Sequence, residues 1–421
     1  MKFAVAMLVL TMAPAFAQEP YPVIREIAFT GNDTTQPKVM LREMTVAIGD
    51  SADPLKIERS RQGIQDLGLF KSVSVKQTML EEGLRLTFTV EEKWYILPIP
   101  RYSINSDGKN SYGLSLRWFN VAGLNHTLRG TWANSDDKKA NKGRRTRYAL
   151  DYSIPFVFDS AYNLGFGAGH SSTPILANPI LATPDYVETF DSASVGVSRT
   201  FSTGAASQGW TLGSSLAWSR QDTQGDVGTP LPYGMATALG LSADYRDIRF
   251  KVFSEEGIRY GARASSAVEG AGSDYSFNLF TASYSALMKL GATPHQNLNL
   301  HLNAGSYHGG PIGVESESGV FSLGGASSLR GYYSDLFQGD AYYYLAAEYL
   351  RPVGWEWLRV VVIAETGKVF ADAHDFSLSR TNASLGLGLR VRFITLVNFE
   401  LEAGMAWPLD GGGARFFASN V

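Results

Sequence analysis

The side chains that could perform catalysis or bind a metal show none of the spacings that such sites require. The chain has no Cys, which excludes thiolate ligands and disulfides. It contains no G-x-S-x-G nucleophile motif. The six histidines are scattered, at His126, His170, His295, His301, His308 and His374. We therefore predict a protein without enzymatic activity, metal or cofactor.

One arginine lies in a setting that suggests a structural ion pair. Arg330 is the only Arg in the long segment 309–341, and Glu365 follows on a predicted strand, on the same face as Val361 and Ile363. If the segment folds back onto that strand, the two groups can form a bidentate, charge-assisted bond. The alternative is an exposed Arg in a flexible loop, and the residues alone favour that simpler alternative.

Two carboxylates, Glu400 and Glu402, lie on one polar face of another predicted strand. Paired carboxylates can act as a general acid and a general base. The same pattern also fits a charge network inside a protein, with a partner such as Arg390 on the polar face of the preceding strand. We favour the network, because nothing else in the sequence points to acid–base chemistry.

The first residues indicate export. Lys2 supplies a positive charge, residues 3–12 form a short apolar run, and Ala15-Phe16-Ala17 has the small-x-small pattern of a signal-peptidase site. We therefore predict a signal peptide over residues 1–17. The mature sequence has no run of 18 or more apolar residues, so it contains no transmembrane helix.

Residues 18–93 mix strand and helix patterns and predict one small α+β domain. A strand over 23–29 precedes a helix that Thr34 or Thr35 could cap, followed by Pro37. A second helix begins at Asp53 and ends at Gly68. Two alternating segments then flank a turn at residues 81–83. The predicted order is β-α-α-β-β.

Residues 94–421 repeat an alternation of apolar and polar residues that is typical of strands. Leu385, Leu387 and Leu389, for example, alternate with Gly386 and Gly388. The segments are longer than the roughly five or six residues of a typical soluble strand, and a near-neutral mean hydropathy of -0.09 accompanies 12% aromatic residues and 43 Gly. This combination favours a membrane barrel, with apolar residues toward lipid and polar residues toward the lumen, over a soluble sandwich.

We count sixteen strands, centred near residues 99, 115, 130, 151, 167, 193, 216, 241, 262, 283, 302, 347, 364, 387, 403 and 417. Short and long connections alternate, as they do in outer-membrane barrels, where the short turns face the periplasm. An even strand count returns the chain to the side on which it began. We therefore predict that the small domain and the end of the barrel both lie at the periplasmic face.

Several motifs resemble known families. Residues 23–92 resemble a POTRA (polypeptide-transport-associated) domain, whose signature here is Gly68, Phe70 and Val73. Residues 95–421 resemble the barrel of the BamA/TamA family of outer-membrane assembly and translocation proteins. Two stretches carry that likeness, Leu329-Arg330-Gly331-Tyr332 at the tip of the long segment and Ala364-Glu365-Thr366-Gly367 on a later strand.

Weaker family motifs are residues 120–128 and Tyr245-Arg246-Asp247, the latter followed by Gly257. The resemblance implies that Arg330 pairs with Glu365 inside the lumen, and with it we favour that pair over an exposed Arg. The sequence departs from the family at Glu365, where Asp is usual, in showing one POTRA-like segment, and in its last strand, which lacks a terminal aromatic residue.

The resemblance implies a function in handling unfolded polypeptides. The POTRA domain would bind client strands, and the barrel would open at a seam between its first and last strands, near residues 95–105 and 415–421. Expected partners are membrane lipid, lipopolysaccharide, outer-membrane or secreted client chains and periplasmic chaperones. We expect a monomeric barrel that does not bind nucleic acid, given its net charge of -3.

Two alternatives remain open. The chain could form a passive pore or structural barrel, or it could export one dedicated partner. A basic segment, Lys138, Lys139, Lys142, Arg144, Arg145 and Arg147, lies in a predicted outer loop. It is either a solvated loop, which is the simpler interpretation, or a contact for lipopolysaccharide phosphates.

Overall fold

The computed structural model describes residues 21–104, 110–136, 144–175, 186–202, 204–224, 234–310 and 320–420. The predicted signal peptide lies outside these ranges, as do the three lysines of the basic segment. Within these ranges, no helix has the length and apolar character needed to cross a membrane.

The N-terminal domain is a three-stranded sheet packed against two helices. Its elements are β1 (Ile24–Thr30), α1 (Pro37–Leu41), α2 (Pro54–Asp66), β2 (Phe70–Leu80) and β3 (Gly83–Glu92). β3 lies in the middle of the sheet, parallel to β1 and antiparallel to β2. The predicted β-α-α-β-β order is therefore confirmed.

The core of this domain comes from the alternation that the sequence shows. Every second residue of β3 points toward the helices, so that Leu86 and Phe88 are fully buried against Ile64 of α2 and Phe70 of β2. Each such side chain contributes roughly 1.5–3 kcal/mol through removal of its apolar surface from water. This core also includes Val397, which belongs to a turn of the barrel.

The ends of the two helices show one correct and one wrong prediction. Asp53 caps α2, since its side chain accepts a hydrogen bond from the Leu55 N–H at 2.8 Å, and Gly68 follows the helix at φ +70°. The expected cap of α1 is wrong. Its N-cap is Gln36, without a side-chain cap, because the Thr35 backbone N–H and hydroxyl both bind Glu92.

Sixteen antiparallel strands form the second part of the chain, which confirms the predicted barrel architecture. They are β4 (Ile96–Ile104), β5 (Asn110–Val121), β6 (His126–Asp136), β7 (Arg144–Ile154), β8 (Tyr162–Ile175), β9 (Tyr186–Ser202), β10 (Gly209–Gln224), β11 (Gly234–Phe250), β12 (Glu255–Ala267), β13 (Phe277–Lys289), β14 (Asn297–Gly309), β17 (Ala341–Val353), β18 (Trp355–Phe370), β19 (Asn382–Arg392), β20 (Glu400–Pro408) and β21 (Arg415–Asn420). Two further short strands, β15 (Phe321–Leu323) and β16 (Phe337–Gly339), form a hairpin in the long connection between β14 and β17.

The two faces of strand β19 differ as the alternation predicts. Leu385, Leu387 and Leu389 of β19 are exposed on the outer face, whereas Gly388 and Arg390 between and beside them are buried in the interior. An apolar exterior with a polar interior is the arrangement that lipid on one side and a lumen on the other require.

The POTRA-like domain lies at the barrel end that carries the short turns. Lys38 forms an ion pair with Asp159 in one short turn, at 3.2 Å, and Glu43 and Asp66 bind two others. A domain that sits against short turns is on the periplasmic side.

The first and last barrel strands stand at the two ends of the sheet order. β4 pairs with β5, and β21 pairs with β20. Within the described residues no ladder joins β4 to β21. The segment before β4 instead forms an isolated parallel bridge, Trp94 with Leu396 in the turn between β19 and β20.

Candidate functional site

Residues 320–340, the described part of the connection between β14 and β17, fold back into the barrel. Its hairpin, β15 with β16, packs Leu323 against Tyr344 and Ala346 of the wall strand β17. The tip that follows β15 contains the predicted motif residues 329–332, and Leu329 is fully buried. Residues 320–340 of this connection therefore form a lumenal plug.

Backbone conformation at the tip explains the glycine in the motif. Leu329 has φ +43° and Gly331 has φ +106°, a left-handed pair that turns the chain sharply at Arg330. A Cβ atom at Gly331 would lie 3.1 Å from the Pro408 nitrogen and from the Trp407 carbonyl carbon. Gly331 thus lets the tip pack directly against the backbone of β20.

Arg330 is the centre of the plug. Its Nη1 donates to Glu365 Oε1 at 2.7 Å, and its backbone N–H donates to Glu365 Oε2 at 2.6 Å. Its Nη2 reaches Glu348 Oε1 at 3.2 Å and lies 3.3 Å from Glu402 Oε1. The last contact is an ion pair without hydrogen-bond geometry, because Glu402 Oε1 has no hydrogen-bond partner. One guanidinium therefore faces carboxylates from three different strands.

A second arginine completes this network. Arg390 of β19 donates from Nη2 to Glu348 Oε2 at 2.7 Å and from Nε to Glu402 Oε2 at 2.6 Å. Arg330, Glu348, Glu365, Glu402 and Arg390 are each at most 5% exposed. Three carboxylates and two guanidinium groups share one interior site. Removal of any one of these charges would leave a buried charge of opposite sign without its partner.

Glu365 is held by the strands around it as well as by the loop. Ser384 Oγ donates to its Oε2 at 3.0 Å, and the Tyr344 hydroxyl donates to its Oε1. Gly367, two residues further along β18, provides space for the plug, since a Cβ there would lie 2.9 Å from Leu323 Cδ1 and 2.8 Å from the Tyr343 carbonyl. The predicted pair Glu365 and Gly367 thus occupies the wall directly behind the plug.

Tyr332 fastens the other side of the tip. Its hydroxyl donates to the Ala383 carbonyl at 3.1 Å and lies 2.9 Å from Asp410 Oδ1. The Arg330 guanidinium carbon lies 5.4 Å from the ring centroid of Phe417 in β21, which is within cation–π range. The tip therefore contacts the last strand as well as strands β17 to β20.

The POTRA signature residues form a separate site. Phe70 and Val73 belong to the domain core, and Gly68 ends α2. The Gly68 carbonyl accepts a hydrogen bond from Lys93 Nζ at 2.9 Å, and this amine lies 4.3 Å from the ring centroid of Phe250. Burial lowers the pKa of Lys93 to about 7. These residues position the junction with the barrel and do not reach the plug.

Two buried carboxylates dock the POTRA domain on the barrel. Glu43 accepts from the N–H and the hydroxyl of Ser207, at 3.0 and 2.8 Å, and Asp66 accepts from the Phe250 N–H at 2.7 Å. Burial raises the pKa of both carboxyl groups. Gln62 adds a hydrogen bond to the Phe250 carbonyl at 3.0 Å. The domain is thus fixed to two periplasmic turns by its helical side.

Sequence reasoning missed part of this arrangement. Arg390 and Glu402 could be identified as interior charges from their places on polar strand faces, but nothing singled out Glu348 or Tyr344. The docking carboxylates Glu43 and Asp66 were also missed, because each resembles an ordinary helix-surface acid in sequence. The described ranges contain no group of His, Asp and Glu that could hold a metal ion.

Comparison with known proteins finds a family match for each of the two parts of the chain. A family described as "Omp85 superfamily domain" matches residues 120–410, and a POTRA family described as "Surface antigen variable number repeat" matches residues 22–93. The outer membrane protein assembly factor BamA of Neorickettsia risticii is 29% identical over 149 residues, which are 34% of this chain and 18% of that protein. The chain therefore matches less than a fifth of the length of this relative.

Solved structures share the fold at low sequence identity. BamA from Haemophilus ducreyi lacking POTRA domains 1-3 is 16% identical, with a TM-score of 0.55 over 96% of this chain and 85% of that chain. CdiB from Escherichia coli is 15% identical, with a TM-score of 0.62 over 94% of this chain and 75% of that chain. CdiB from Acinetobacter baumannii is 15% identical, with a TM-score of 0.61 over 95% and 74%.

These findings confirm the resemblance that the POTRA and loop motifs carried, and they place the barrel in the outer membrane with its small domain in the periplasm. They also agree with a barrel that is not an enzyme. The chain belongs to the Omp85 superfamily.

Proposed function

We propose that this protein inserts polypeptide clients into the outer membrane or passes them across it, with the barrel opening between β4 and β21. The supporting observation is that these two strands share no ladder within the described residues, whereas every other neighbouring pair of barrel strands does. β21 has only six residues, against sixteen or seventeen in β9, β10 and β11 of the opposite wall. A short pairing edge costs little to separate.

The POTRA domain supplies a place for a client strand. β1 is an edge of its sheet, and an apolar groove runs beside it, lined by Phe29 of β1 and by Leu41, Met44 and Ile48 of the α1 region. Leu41 and Ile48 are 47% and 65% exposed. A client added as a strand beside β1 would gain backbone hydrogen bonds and place alternate side chains in this groove.

The lumenal plug has a supporting part in this function. Arg330 binds carboxylates of β17, β18 and β20 and contacts Phe417 of β21. This wall then stays rigid while β4, on the other side of the seam, separates. In this proposal Arg330 and Glu365 are positioning residues that keep the last strands in register.

The domain limits and partners belong to the same proposal. We place the signal peptide at residues 1–17, the POTRA domain at 18–93 and the barrel at 94–421, limits consistent with β3 ending at Glu92 and β4 beginning at Ile96. Partners are unfolded outer-membrane or secreted chains, periplasmic chaperones, membrane lipid and lipopolysaccharide. The barrel acts as a monomer.

Depletion of the protein in its source cells tests the function. We expect levels of outer-membrane proteins, or secretion of an exported partner, to fall. Unchanged levels of both would refute the proposal. A large conductance in planar bilayers that does not change when residues 309–341 are removed would instead indicate a passive pore.

Complementation of the depleted cells with groove variants tests the client site. Ile48→Glu places a charge in the groove beside β1, and we expect it to restore outer-membrane protein levels poorly. Leu55→Glu is the matched control, because Leu55 is 68% exposed, close to the 65% of Ile48, but lies on α2, outside the groove. Equal complementation by the two variants would show that the groove does not bind clients.

A further inference from the structure

Arg199 carries a positive charge on the outer face of the barrel. It lies on β9, in the alternate set of residues that includes Val195, Val197 and Phe201, which are 44%, 43% and 45% exposed. Arg199 is itself exposed. A charge that faces lipid is unfavourable unless it lies near the headgroups or has a partner of opposite sign. Arg199 therefore needs either such a position or such a partner.

No carboxylate of the described residues binds this guanidinium. Within the part of the chain that the structure describes, the Arg199 side chain forms no ion pair and no hydrogen bond. Its cross-strand partners are Tyr162 on β8 and Leu212 on β10, and neither is charged. The turn after β9 contains no Asp or Glu, and the one acid of the turn before β8, Asp159, binds Lys38 at 3.2 Å. The described residues therefore leave the charge of Arg199 to another partner.

Two aromatic rings hold the Arg199 guanidinium against the barrel surface. Its central carbon lies 5.6 Å from the ring centroid of Tyr162 and 5.0 Å from that of Phe201. Both distances are within cation–π range. The rings fix the position of the group but accept none of its five N–H donors in a conventional hydrogen bond. A pre-positioned guanidinium with free donors is suited to a planar or tetrahedral oxyanion.

A row of aromatic residues shows where Arg199 lies relative to the membrane. Strands β9 to β13 each contribute one register partner to this row on the outer face: Phe201, Trp210, Tyr245, Tyr260 and Tyr284. The rings from Trp210 to Tyr284 contact their neighbours, with centroids 5.4, 5.0 and 6.3 Å apart. Trp210 closely follows Ser207, the turn residue that binds Glu43 of the POTRA domain, so the row lies at the periplasmic end. Aromatic belts lie at the level of the lipid headgroups. Arg199, two residues from Phe201, is therefore close to the headgroups of the periplasmic leaflet.

We propose that Arg199, held over Tyr162 and Phe201, binds the phosphate group of a glycerophospholipid in the periplasmic leaflet. This phosphate is the oxyanion that the membrane itself presents at that depth, and its oxygens match the guanidinium fork. The bound lipid fixes the depth of the wall formed by β9 and β10, which have 17 and 16 residues, during the proposed separation of β4 from β21. This role rests on the proposed function, whereas the lipid site itself rests on the position of Arg199.

Photo-cross-linking of the purified full-length protein in a maltoside detergent, which contains no phosphate, tests the site. The probe is phosphatidylglycerol with a diazirine in the acyl chain next to its glycerol, added below saturation, and mass spectrometry locates the adducts. We expect adducts on the peptides that contain Tyr162 or Phe201. Arg199→Gln should lower their yield at least about tenfold, since loss of one charge-assisted hydrogen bond changes affinity by that factor. A diacylglycerol probe with the same acyl chains but no phosphate should give equal yields with and without Arg199.

Arg220→Gln is the matched control, because Arg220 lies on the outer face of β10 but binds Asp222 at 2.8 Å. Retained heat-modifiable migration in electrophoresis shows that each variant is folded, and Arg199→Lys, which loses the fork, replaces Arg199→Gln if that one fails to fold. An unchanged yield without Arg199, an equal loss in Arg220→Gln, or an equal loss with the diacylglycerol probe would overturn the proposal. The assay contains no polypeptide client, so its failure would leave the proposed function standing.

Discussion

Trp94 donates its backbone N–H to the Thr395 carbonyl oxygen at 2.7 Å, and the Trp94 carbonyl accepts from the Val397 N–H at 3.4 Å. Trp94 precedes the first barrel strand, whereas Thr395 lies in the turn that leads into β20. The contact therefore crosses the gap between the first and last strands at the periplasmic rim. Two hydrogen bonds contribute only about 0.5–1.5 kcal/mol each, so this tie can break during the proposed opening.

A disulfide in place of this tie should block the proposed opening. Trp94 and Leu396 form a bridge pair, and the chain contains no other Cys, so Trp94→Cys with Leu396→Cys gives one defined cross-link. We expect cells that depend on this variant to lose outer-membrane proteins under oxidising conditions and to recover them when a reductant is added. Quantitative immunoblotting of the outer-membrane fraction measures both states.

A second cysteine pair, placed away from the seam, is the control for effects of cross-linking that do not involve opening. Tyr284 and Leu302 are register partners on β13 and β14, which are joined by a full ladder. Cross-linking them should leave client levels unchanged under both conditions. If the seam cross-link proves equally harmless, the barrel does not open between β4 and β21 near its periplasmic rim.

Arg330→Ala should loosen the plug and the wall behind it. The substitution leaves Glu348, Glu365 and Glu402 buried with only Arg390 nearby, and removal of one partner from a buried ion pair costs about 3–5 kcal/mol. We expect a lower midpoint in thermal unfolding, followed by heat-modifiable migration, and faster proteolysis within residues 320–340. Arg330→Lys should show an intermediate loss, because one ammonium group cannot reproduce the guanidinium fork.

Arg263→Ala is the control for this loss. It removes an Arg–Asp pair at 3.4 Å whose arginine is 70% exposed, and exposed pairs contribute about 0–1 kcal/mol. If Arg330→Ala and Arg263→Ala unfold at the same temperature, the Arg330 network does not stabilise the barrel.

The strand pattern of this chain could be predicted because lipid imposes it locally. Leu385, Leu387 and Leu389 must face outward whichever strands lie beside them, so a period of two identifies β19 without knowledge of its neighbours. The pairing of Arg330 with Glu365 could be predicted for a different reason, because both residues lie in short family-like motifs. Local pattern and short motif are the signals that one sequence provides.

The remaining contacts depend on geometry that no local pattern encodes. Glu348 joins the network because β17 lies between β14 and β18 and presents this residue at the depth of the plug. Asp66 binds the Phe250 N–H because the end of α2 docks where β11 ends. Phe250 lies 184 positions further along the chain. Such contacts follow from the assembled barrel, so sequence reasoning had no residue spacing from which to infer them.

Gly331→Ala should disturb the plug through a clash as well as through backbone strain. Gly331 has φ +106° and a Cβ would meet β20 backbone atoms at 3.1 Å, so the tip must move away from the wall. Gly411→Ala has almost the same backbone cost, at φ +108°, but its Cβ meets nothing within 4 Å. Strain alone costs about 1–3 kcal/mol in each variant. We expect the larger fall in unfolding midpoint, and protease cleavage within the plug, only for Gly331→Ala. Matching midpoints would mean that the close approach to β20 is not important.

Docking of the POTRA domain should strengthen as the pH falls below about 7. Burial raises the pKa of Asp66 above its ordinary value of 3.8, with Arg249 and Lys251 opposing that effect, and burial likewise raises the pKa of Glu43. The docked domain therefore binds protons at these two carboxyl groups more tightly than a free domain does. Their contribution to the stability of docking is complete below the ordinary pKa and is lost as the pH rises through the raised pKa. Lys93 acts in the opposite sense, but only above its lowered pKa of about 7. Of these three groups, only the two carboxyl groups change protonation below pH 7, and both favour docking as the pH falls.

Distances between spin labels on Arg59→Cys of α2 and Lys289→Cys at the end of β13 measure the docked fraction, since both positions are exposed and the chain has no native Cys. The docked fraction should rise between about pH 7 and about pH 4. Asp66→Asn keeps an acceptor for the Phe250 N–H without a charge, so it should dock well at neutral pH and respond less to acid. Asp66→Ala leaves that N–H and the Gln62 amide without this partner and should undock at every pH. If Asp66→Asn responds to pH as strongly as the unmodified protein, Asp66 is not the source of the pH response. Glu43, which binds Ser207, is then the carboxyl group to test with Glu43→Gln.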